Sequence, residues 1–578
     1  MMWLKSFINK RQTILCVVFV CIILVVVALV CPMVYSFNDD VLMRSIISGA
    51  YTGEPDGHAV YMRYPLTGFL SLLYRISDQI PWLSLFFCAC FGACMCVALG
   101  MTWESLQGRV RKVLGALTAL VVLIIVLFGN YVVMHYTIVA AVLSGTALFL
   151  FTAGVKGGTL SRKRMVWSLC FLFLSYMVRN QVFFMSLPFF MVAVLWNIAG
   201  NGEKISLKTA FRKWGGCIGA LILGVVLLTA IHAVMYGSKD WREYQEYNES
   251  RTDLFDYADV MNYENHKDVY DGIGITHEQF FILAKYALIL DEELGVEQFD
   301  KLADAWHAER DKFFTLAGVI KERFVEYYDR TLHYRDYPYN YVVLALYGLL
   351  FVFCLWKKEW LRTLLLFCLG GGRSLIWMYL MVKGRYPERV LVSLYLIEGL
   401  LLAGMLISCL KALRKAQKEK RKYYVLTVAL QAVVLVCLMP VARAEMQIGY
   451  WAAASQAYVQ EDWLALKEYM GQRDENFYYL DMHSMMPVTG LQFETVNYEN
   501  YMMLGGWLTR AAIQEEKQEN TGYVKPLEAI IYGENVYLVV EDGKDYTWLE
   551  DYAKYAGYEL KLRQIDKIGR FYIYGAQK

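Results

Sequence analysis

The chain has 578 residues, of which 57% are hydrophobic, 15% aromatic and only 19% charged. A soluble domain usually carries about a quarter of its residues as charged side chains, so this composition excludes a purely soluble protein. The formal net charge of +2 does not indicate any partner, and the basic runs are more typical of membrane topology signals than of nucleic-acid patches.

The apolar residues come in blocks, and a block of about 17–25 residues is long enough to cross a bilayer as a helix. The sequence predicts about eleven such spans, and therefore a mainly α, polytopic membrane protein. The predicted spans are 13–34, 81–101, 113–133, 135–154, 165–179, 182–199, 214–235, 340–356, 361–381, 389–409 and 423–440. The fifth and the eighth are the shortest of them, and Arg179-Asn180-Gln181 interrupts the apolar run at the end of the fifth.

Basic residues predict which loops face the cytoplasm, because Lys and Arg accumulate in short cytoplasmic loops. They precede the first span and recur in every second loop, which predicts a cytoplasmic N-terminus and a C-terminus on the opposite side. The residues are Lys5, Lys10 and Arg11; Arg109, Arg111 and Lys112; Lys156, Arg162, Lys163 and Arg164; Lys204, Lys208, Arg212 and Lys213; Lys357, Lys358 and Arg362; and the run from Lys411 to Lys422.

The first outer loop, 35–80, carries the acidic pair Asp39-Asp40 just beyond the first span. Apolar residues after the pair recur at helical spacing, which predicts a short interfacial helix that begins near Asn38 and ends at Gly49. Carboxylates at the membrane boundary suit a general base that acts on a lipid-linked substrate. A structural alternative is a helix cap, since Asn38 followed by two acids is a good N-cap.

Two further regions are predicted on the outer side. The second outer loop, 236–339, is expected to form amphipathic helices that cover an outer cavity, and one of these helices begins at Thr276. We divide the chain into a transmembrane domain, 1–440, and a small extracytoplasmic α/β domain, 441–578. In the α/β domain, the pair Gly505-Gly506 would allow a ligand or the membrane part to approach closely.

Basic residues on the outer side are informative, because they run against the inside bias and because charge at membrane depth is costly without a purpose. Arginine also suits bidentate contacts with phosphate. Snorkelling to lipid headgroups is an alternative explanation for Arg385 and Arg389. The candidate phosphate-binding residues are Arg179, Lys383, Arg385 and Arg389.

Other candidates for a substrate or acceptor cavity come from the same outer regions. They are Arg44, His58, Arg63, Tyr64, Arg251 and Trp507. His58 is also typical of an ordinary loop residue, and Trp507 of an aromatic residue at a membrane interface. No nucleotide-binding or HExxH motif occurs, so the sequence predicts no cofactor and leaves a divalent cation as an open alternative.

The order and sidedness of these features resemble the GT-C glycosyltransferases, multi-spanning enzymes such as the protein O-mannosyltransferases and the aminoarabinose transferases. Three short phrases are similar to the bacterial branch that modifies cell-surface glycans. They are Phe37-Asn38-Asp39-Asp40, Gly384-Arg385-Tyr386-Pro387-Glu388-Arg389 and Gly505-Gly506-Trp507. In this family the first-loop aspartate is the catalytic base, so the resemblance implies that role for Asp39, with Asp40 as its helper.

The resemblance implies an inverting glycosyltransferase in the bacterial cytoplasmic membrane. It would pass a sugar from a polyprenyl-phosphate donor to a surface glycan or lipid-linked acceptor, with membrane lipids as the other partner and no nucleic acid. The chain lacks the Asp-x-Asp and histidine-rich sites of some members, which leaves metal dependence open. The alternatives are a polymerase or ligase of the O-antigen type, a lipid-glycan transporter or flippase, and a membrane-anchored scaffold.

Overall fold

The computed structural model describes residues 2–155, 160–200, 207–416 and 421–577. Lys156 and Lys204 of the basic loops, and part of the run from Lys411 to Lys422, lie outside these ranges. The described part of residues 1–200 folds into α1 (Met2–Val30), β1 (Val34–Tyr35), α2 (Asn38–Ser48), α3 (Tyr64–Ile76), α4 (Trp82–Ser105), α5 (Arg109–Val132), β2 (Val133–Met134), α6 (Tyr136–Ala153), α7 (Arg162–Val178) and α8 (Asn180–Ala199).

The predicted second outer loop is largely helical. Thr276 accepts a hydrogen bond from the backbone N–H of Gln279, whose side chain accepts from the N–H of Thr276, so the predicted helix start is confirmed. The membrane helix α9 (Leu207–Met235) leads into this loop. The elements of the loop are α10 (Lys239–Thr252), a π-helical turn (Asp253–Tyr257), α11 (Lys267–Ile273), α12 (His277–Ala284), a 3₁₀ turn (Leu288–Leu290), α13 (Val296–Phe313), α14 (Leu316–Leu332) and a second 3₁₀ turn (Tyr334–Asp336).

The next helix group contains one feature that the sequence did not predict. The helices are α15 (Tyr339–Trp356), α16 (Trp360–Val382), α17 (Glu388–Ala416), α18 (Arg421–Val459) and α19 (Glu461–Gly471). The sequence predicts a span over 423–440 and a domain division after 440. In the structure, α18 continues through Pro440, so the predicted domain division at 440 falls inside a helix.

The C-terminal region forms the predicted small α/β unit. Its elements are β3 (Phe477–Leu480), α20 (Met482–Met485), β4 (Tyr501–Met503), α21 (Ala512–Thr521), α22 (Pro526–Tyr532), β5 (Val536–Glu541), α23 (Thr547–Tyr555), β6 (Leu562–Ile568) and β7 (Phe571–Ala576). The strands form one mixed sheet in the order β4-β3-β5-β7-β6. β3 runs parallel to both β4 and β5, whereas β7 runs antiparallel to both β5 and β6.

Within the described ranges, ten helices are long and apolar enough to cross a membrane: α1, α4, α5, α6, α8, α9, α15, α16, α17 and α18. The predicted fifth span forms α7, whose 17 residues are fewer than those of any of the ten. The chain is therefore a mainly helical, multi-pass membrane protein. Its predicted orientation stays a prediction.

Helix α6 lies at the centre of the membrane part, and all 18 of its residues are buried. Small residues along it allow neighbouring helices to approach closely. A Cβ added to Gly145 would lie 2.5 Å from the Leu400 side chain of α17. This packing fixes the N-terminal end of α6, where Tyr136 begins the helix.

Two short strands hold the acidic helix α2 beside α6. Val34 and Tyr35 of β1 pair in parallel with Val133 and Met134 of β2. Since β1 leads into α2 and β2 leads into α6, this pairing places the first turns of the two helices side by side. On its other side, Val34 forms an antiparallel bridge with Leu491 of the C-terminal region. Three distant parts of the chain therefore meet at β1.

Gly505 does lie close to other backbone, but that backbone belongs to the second outer loop and not to a ligand or a membrane-spanning helix. A Cβ at Gly505 would lie 1.7 Å from the carbonyl oxygen of Tyr286. We expect Gly505→Ala to lower the stability of the protein by about 1–3 kcal/mol, because backbone must move to relieve the clash. The measurement is the melting temperature of the purified protein, together with the rate of proteolysis within 236–339.

The matched control for this variant is Gly272→Ala, because a Cβ at Gly272 meets no atom within 4 Å. Equal effects of the two substitutions on melting temperature and proteolysis would contradict the prediction.

Candidate active site

The acidic pair lies in the first turn of α2. Phe37, not Asn38, occupies the cap position, and it makes no side-chain hydrogen bond to the helix. Asn38 is instead the first helical residue, so the predicted capping role for this side chain is wrong. The helix N-terminus favours negative charge, which suits both Asp39 and Asp40.

Asp40 is completely buried and is held by the start of α6. Its Oδ1 accepts a hydrogen bond of 3.0 Å from the backbone N–H of Tyr136, and its Oδ2 lies 3.9 Å from Nε2 of His135. Nδ1 of His135 accepts from the N–H of Thr137, so the neutral ring carries its proton on Nε2, facing Asp40. Burial raises the pKa of Asp40 well above its usual value and lowers the pKa of His135.

Asp39 is only half-buried, and it reaches the C-terminal region. Its Oδ1 accepts a hydrogen bond of 3.1 Å from Nε1 of Trp507. Burial raises the pKa of Asp39, whereas the charges of Arg389 and Arg179 and the bond from Trp507 act in the opposite direction. Of the two carboxyl groups, that of Asp39 is the more accessible to a substrate.

Two arginines from different helices lie close to the pair. Arg179 occupies the extended break between α7 and α8, where it donates to the hydroxyl of Tyr136 and lies 5.4 Å from the ring centre of Tyr61. Arg389, in the first turn of α17, lies over Phe37 at 4.5 Å from its ring centre. In the part of the chain that the structure describes, neither arginine forms an ion pair with a carboxylate, so both charges remain available to an anion.

Arg385 lies at the edge of this cluster but has an acidic partner. Its Nη1 lies 2.6 Å from Oδ2 of Asp256 in the π-helical turn, and its guanidinium lies over the ring of Tyr257. The charge of Asp256 raises the pKa of Asp39, which indicates that the ion pair borders the acidic pair. Lys383 is exposed at the end of α16.

Arg251 is buried beneath the same turn and makes several side-chain hydrogen bonds. It donates to the hydroxyl of Tyr286, to Oδ1 of Asn248 at 2.9 Å and to Oγ1 of Thr252 at 3.0 Å. The bond to Tyr286 ties α10 to the segment that Gly505 contacts, and the other two hold the Arg251 side chain within α10. Arg251 therefore supports the wall of the site.

Four other candidates have partners of their own. Arg44 donates to the carbonyl of Leu491 at 2.7 Å. His58 is bound through both ring nitrogens, to Asp56 at 2.6 Å and to the carbonyl of Met235 at 3.0 Å. In addition, Arg63 lies over the ring of Tyr176, and Tyr64 packs on His58. The structure places these four side chains in contacts that order the first outer loop, and it does not group them with the acidic pair.

Several side chains around the pair were missed in the sequence. They are Tyr61, His135, Tyr136, Asp256 and Tyr286. The available signal was the pair His135-Tyr136, which lies at the outer boundary between the third and fourth predicted spans. A polar pair there must lie at the membrane surface next to the other outer loops.

The acidic pair does not form a complete ligand set for a divalent cation with its neighbours. Among the residues that the structure describes, no group of three or more His, Cys, Asp or Glu side chains is placed to hold a metal ion. Arg179 and Arg389 supply the positive charge next to the pair.

Comparisons with known proteins give a distant likeness to a solved structure. No family model matches the chain, and no curated protein matches it either. The chain is similar to the crystal structure of ArnT from Cupriavidus metallidurans bound to undecaprenyl phosphate. The identity is 10%, the match covers 98% of this chain and 98% of ArnT, and the TM-score is 0.38. At those values the likeness assigns neither a family nor an activity, and the site itself has to support the function.

Proposed function

We propose that the protein is a membrane glycosyltransferase that takes a sugar from a polyprenyl-phosphate donor at the outer face of the bacterial cytoplasmic membrane. The acceptor would be a surface glycan or a lipid-linked glycan. One observation carries the proposal: a half-buried carboxyl group, Asp39, lies with two arginines, Arg179 and Arg389, that have no acidic partner in the described part of the chain.

The proposed reaction is a single displacement with inversion at the anomeric carbon. Asp39 takes the proton from the acceptor hydroxyl while that oxygen attacks the anomeric carbon. The bond between this carbon and the phosphate oxygen breaks, and polyprenyl phosphate leaves. A raised pKa suits a general base, because proton transfer is most efficient when the pKa of the base lies near the working pH.

The arginines would hold the phosphate as its negative charge develops. Cations that are fixed before the reaction stabilise such charge strongly in a site shielded from water. Arg179 is held in place by the hydroxyl of Tyr136, and Arg389 by the Phe37 ring. Arg385 would add to phosphate binding from the edge of the site, where its pair with Asp256 holds it in place. Lys383 would contact lipid headgroups at the same edge.

Asp40 would position Asp39 and not take the proton itself. It is fully buried, and both of its oxygens face groups at the start of α6. Trp507 would cover the site and orient Asp39 through its indole N–H. In this arrangement the C-terminal region completes a site whose charged groups come from the membrane part.

A transporter is the second candidate, and one observation favours it. Arg373 of α16 and Glu398 of α17 form a buried ion pair, with 2.9 Å between Nε and Oε2, inside helices apolar enough to cross the membrane. Charged residues at such depth often mark transport pathways. The direct test below separates the two functions, because a transporter moves a lipid-linked glycan without breaking the bond to phosphate.

The full chain in nanodiscs should consume one member of a panel of radiolabelled undecaprenyl-phosphate sugars and release undecaprenyl phosphate. Deletion of the gene should also lower the mass of the surface glycan by one sugar residue per modified unit, measured by mass spectrometry. If no donor of the panel is consumed and the glycan mass is unchanged, the proposed function fails.

A further inference from the structure

A cavity lined by many polar residues lies between α2 and the C-terminal α/β unit, away from the acidic pair. Its volume is about 630 Å³, within the range of small-molecule sites. Val41 and Arg44 of α2 line one wall. Helix α19 and the segment 494–501 line the others. Much of that segment belongs to a long stretch without regular structure between α20 and β4, and long ordered loops of this kind often carry function.

The walls offer the groups that a saccharide needs. A sugar presents hydroxyl groups around an apolar face of C–H bonds, so it is matched by carboxylate and amide groups together with an aromatic ring. Glu468, Gln472 and Asn497 line the cavity and are exposed. The Tyr498 ring also lines it, and 49% of that residue is exposed.

The charges of the lining select against an anionic ligand. Four carboxylates, those of Glu468, Asp474, Glu494 and Glu499, line the cavity with only two cations, Arg44 and Lys467. Both cations are already engaged. Lys467 is paired with Glu494, and Arg44 binds the carbonyl of Leu491 and lies 3.7 Å from Glu494. Among the lining residues that the structure describes, a phosphate-rich or uronate polymer would therefore meet an excess of acidic groups and two cations that are already paired.

The cavity is joined directly to the helix that carries the acidic pair. Ser45 of α2 donates to Oε1 of Glu499 at 2.5 Å. A Cβ at Gly490 would lie 3.0 Å from Val41, so the loop packs tightly on the same helix. A ligand in the cavity would therefore touch α2 within two turns of Asp39.

We infer that this cavity binds a neutral or amino-sugar oligosaccharide. Its identity as part of the acceptor rests on the proposed function, whereas the binding itself does not. A glycan held here against α2 would have one end fixed beside the helix that presents Asp39. The C-terminal α/β unit thereby acquires a role in selecting an uncharged or cationic glycan.

The test is isothermal titration calorimetry of the full chain in nanodiscs with four probes: cellotriose, chitotriose, its deacetylated trimer and trigalacturonate. We expect at least one of the first three to bind and trigalacturonate not to bind. Tyr498→Ala should weaken binding by roughly three- to tenfold, the usual value of an aromatic contact. Glu468→Gln should weaken the deacetylated trimer more than the neutral probes.

The matched control is Tyr555→Ala, which removes a tyrosine of similar exposure from α23, outside the cavity lining. The inference is overturned if none of the three uncharged or cationic probes binds, if trigalacturonate binds as well as they do, or if Tyr555→Ala weakens binding as much as Tyr498→Ala.

Binding to Asp39→Asn separates this inference from the proposed function. Oligosaccharide binding in a variant that has lost transfer supports both. Binding with no transfer by the unmodified protein would leave the cavity assignment standing and remove the glycosyltransferase. Transfer without oligosaccharide binding would support the glycosyltransferase and remove the cavity assignment.

Discussion

Asp39→Asn should lower sugar transfer by about 10²- to 10⁴-fold while the protein stays folded, because an amide cannot take the acceptor proton. The substitution keeps an oxygen that accepts the hydrogen bond from Trp507, so the geometry of the site is retained. The measurement is the initial rate of undecaprenyl phosphate release from nanodiscs that contain equal amounts of each protein.

The control for this prediction is Asp40→Asn. Its amide oxygen can still accept from the N–H of Tyr136, and the change removes a carboxyl group whose charged form is disfavoured by burial. Because the new amide NH₂ faces Nε2–H of His135 in a buried site, we expect the protein to stay folded with a lower melting temperature, and with a smaller loss of activity than for Asp39→Asn. Unchanged transfer in Asp39→Asn would remove the catalytic role of this residue, and a larger loss in Asp40→Asn would move that role to Asp40.

The same base should be visible in the pH dependence of transfer. The active form of Asp39 is the carboxylate, so the rate should rise with pH as the proton is lost. Because burial raises the pKa of Asp39, this rise should lie above the range of an ordinary aspartate, about 3.9. Asp39→Asn should abolish the rise.

Arg389→Gln and Arg179→Gln should each lower transfer by about 10²- to 10³-fold, the usual cost of removing one group that stabilises developing negative charge. Arg389→Gln should also move the pH rise of the remaining activity to higher pH. The reason is that the charge of Arg389 lowers the pKa of Asp39. Rates at saturating and limiting donor separate the loss of donor binding from the loss of turnover.

Arg75→Gln is the matched control for these arginines. Arg75 is an exposed arginine of the first outer loop that donates to the carbonyl of Pro55. Arg75 can contact anionic headgroups like the other outer arginines, but it lies outside the cluster around Asp39. Its substitution therefore measures the general effect of losing one outer positive charge. Equal donor dependence of Arg75→Gln and Arg389→Gln would reduce Arg389 to a headgroup contact.

The membrane part could be predicted because its signals are local. A run of apolar residues specifies a spanning helix by itself, and basic residues placed against the usual bias pointed to Arg179 and Arg389. The partners Tyr136 and His135 depend on the pairing of β1 with β2. That contact joins residues about a hundred positions apart and leaves no periodicity in the sequence.

The directions of their side chains explain why some predicted site residues lie away from the acidic pair. Arg44 follows Asp39 by five residues, which on an α-helix places the two side chains about 140° apart. Sequence position alone put both in the first outer loop, but the packing of β1 turned Arg44 toward Leu491 and the α/β unit. Similarly, His58 is at the outer side as expected, but its two ring nitrogens are both bound to groups that order the loop.

The unbroken helix α18 has a mechanical consequence. Its 39 residues extend for about 58 Å, nearly twice the thickness of a bilayer core. One end of this helix must therefore extend beyond the hydrocarbon core. A short break at Gln460 separates α18 from α19, which leads to the sheet. The length of α18 must therefore match the contacts that join the α/β unit to β1 and α2. Inserting or deleting one helical turn beyond Pro440 would shift the end of α18 by about 5 Å, and would strain the hydrogen bond between Trp507 and Asp39.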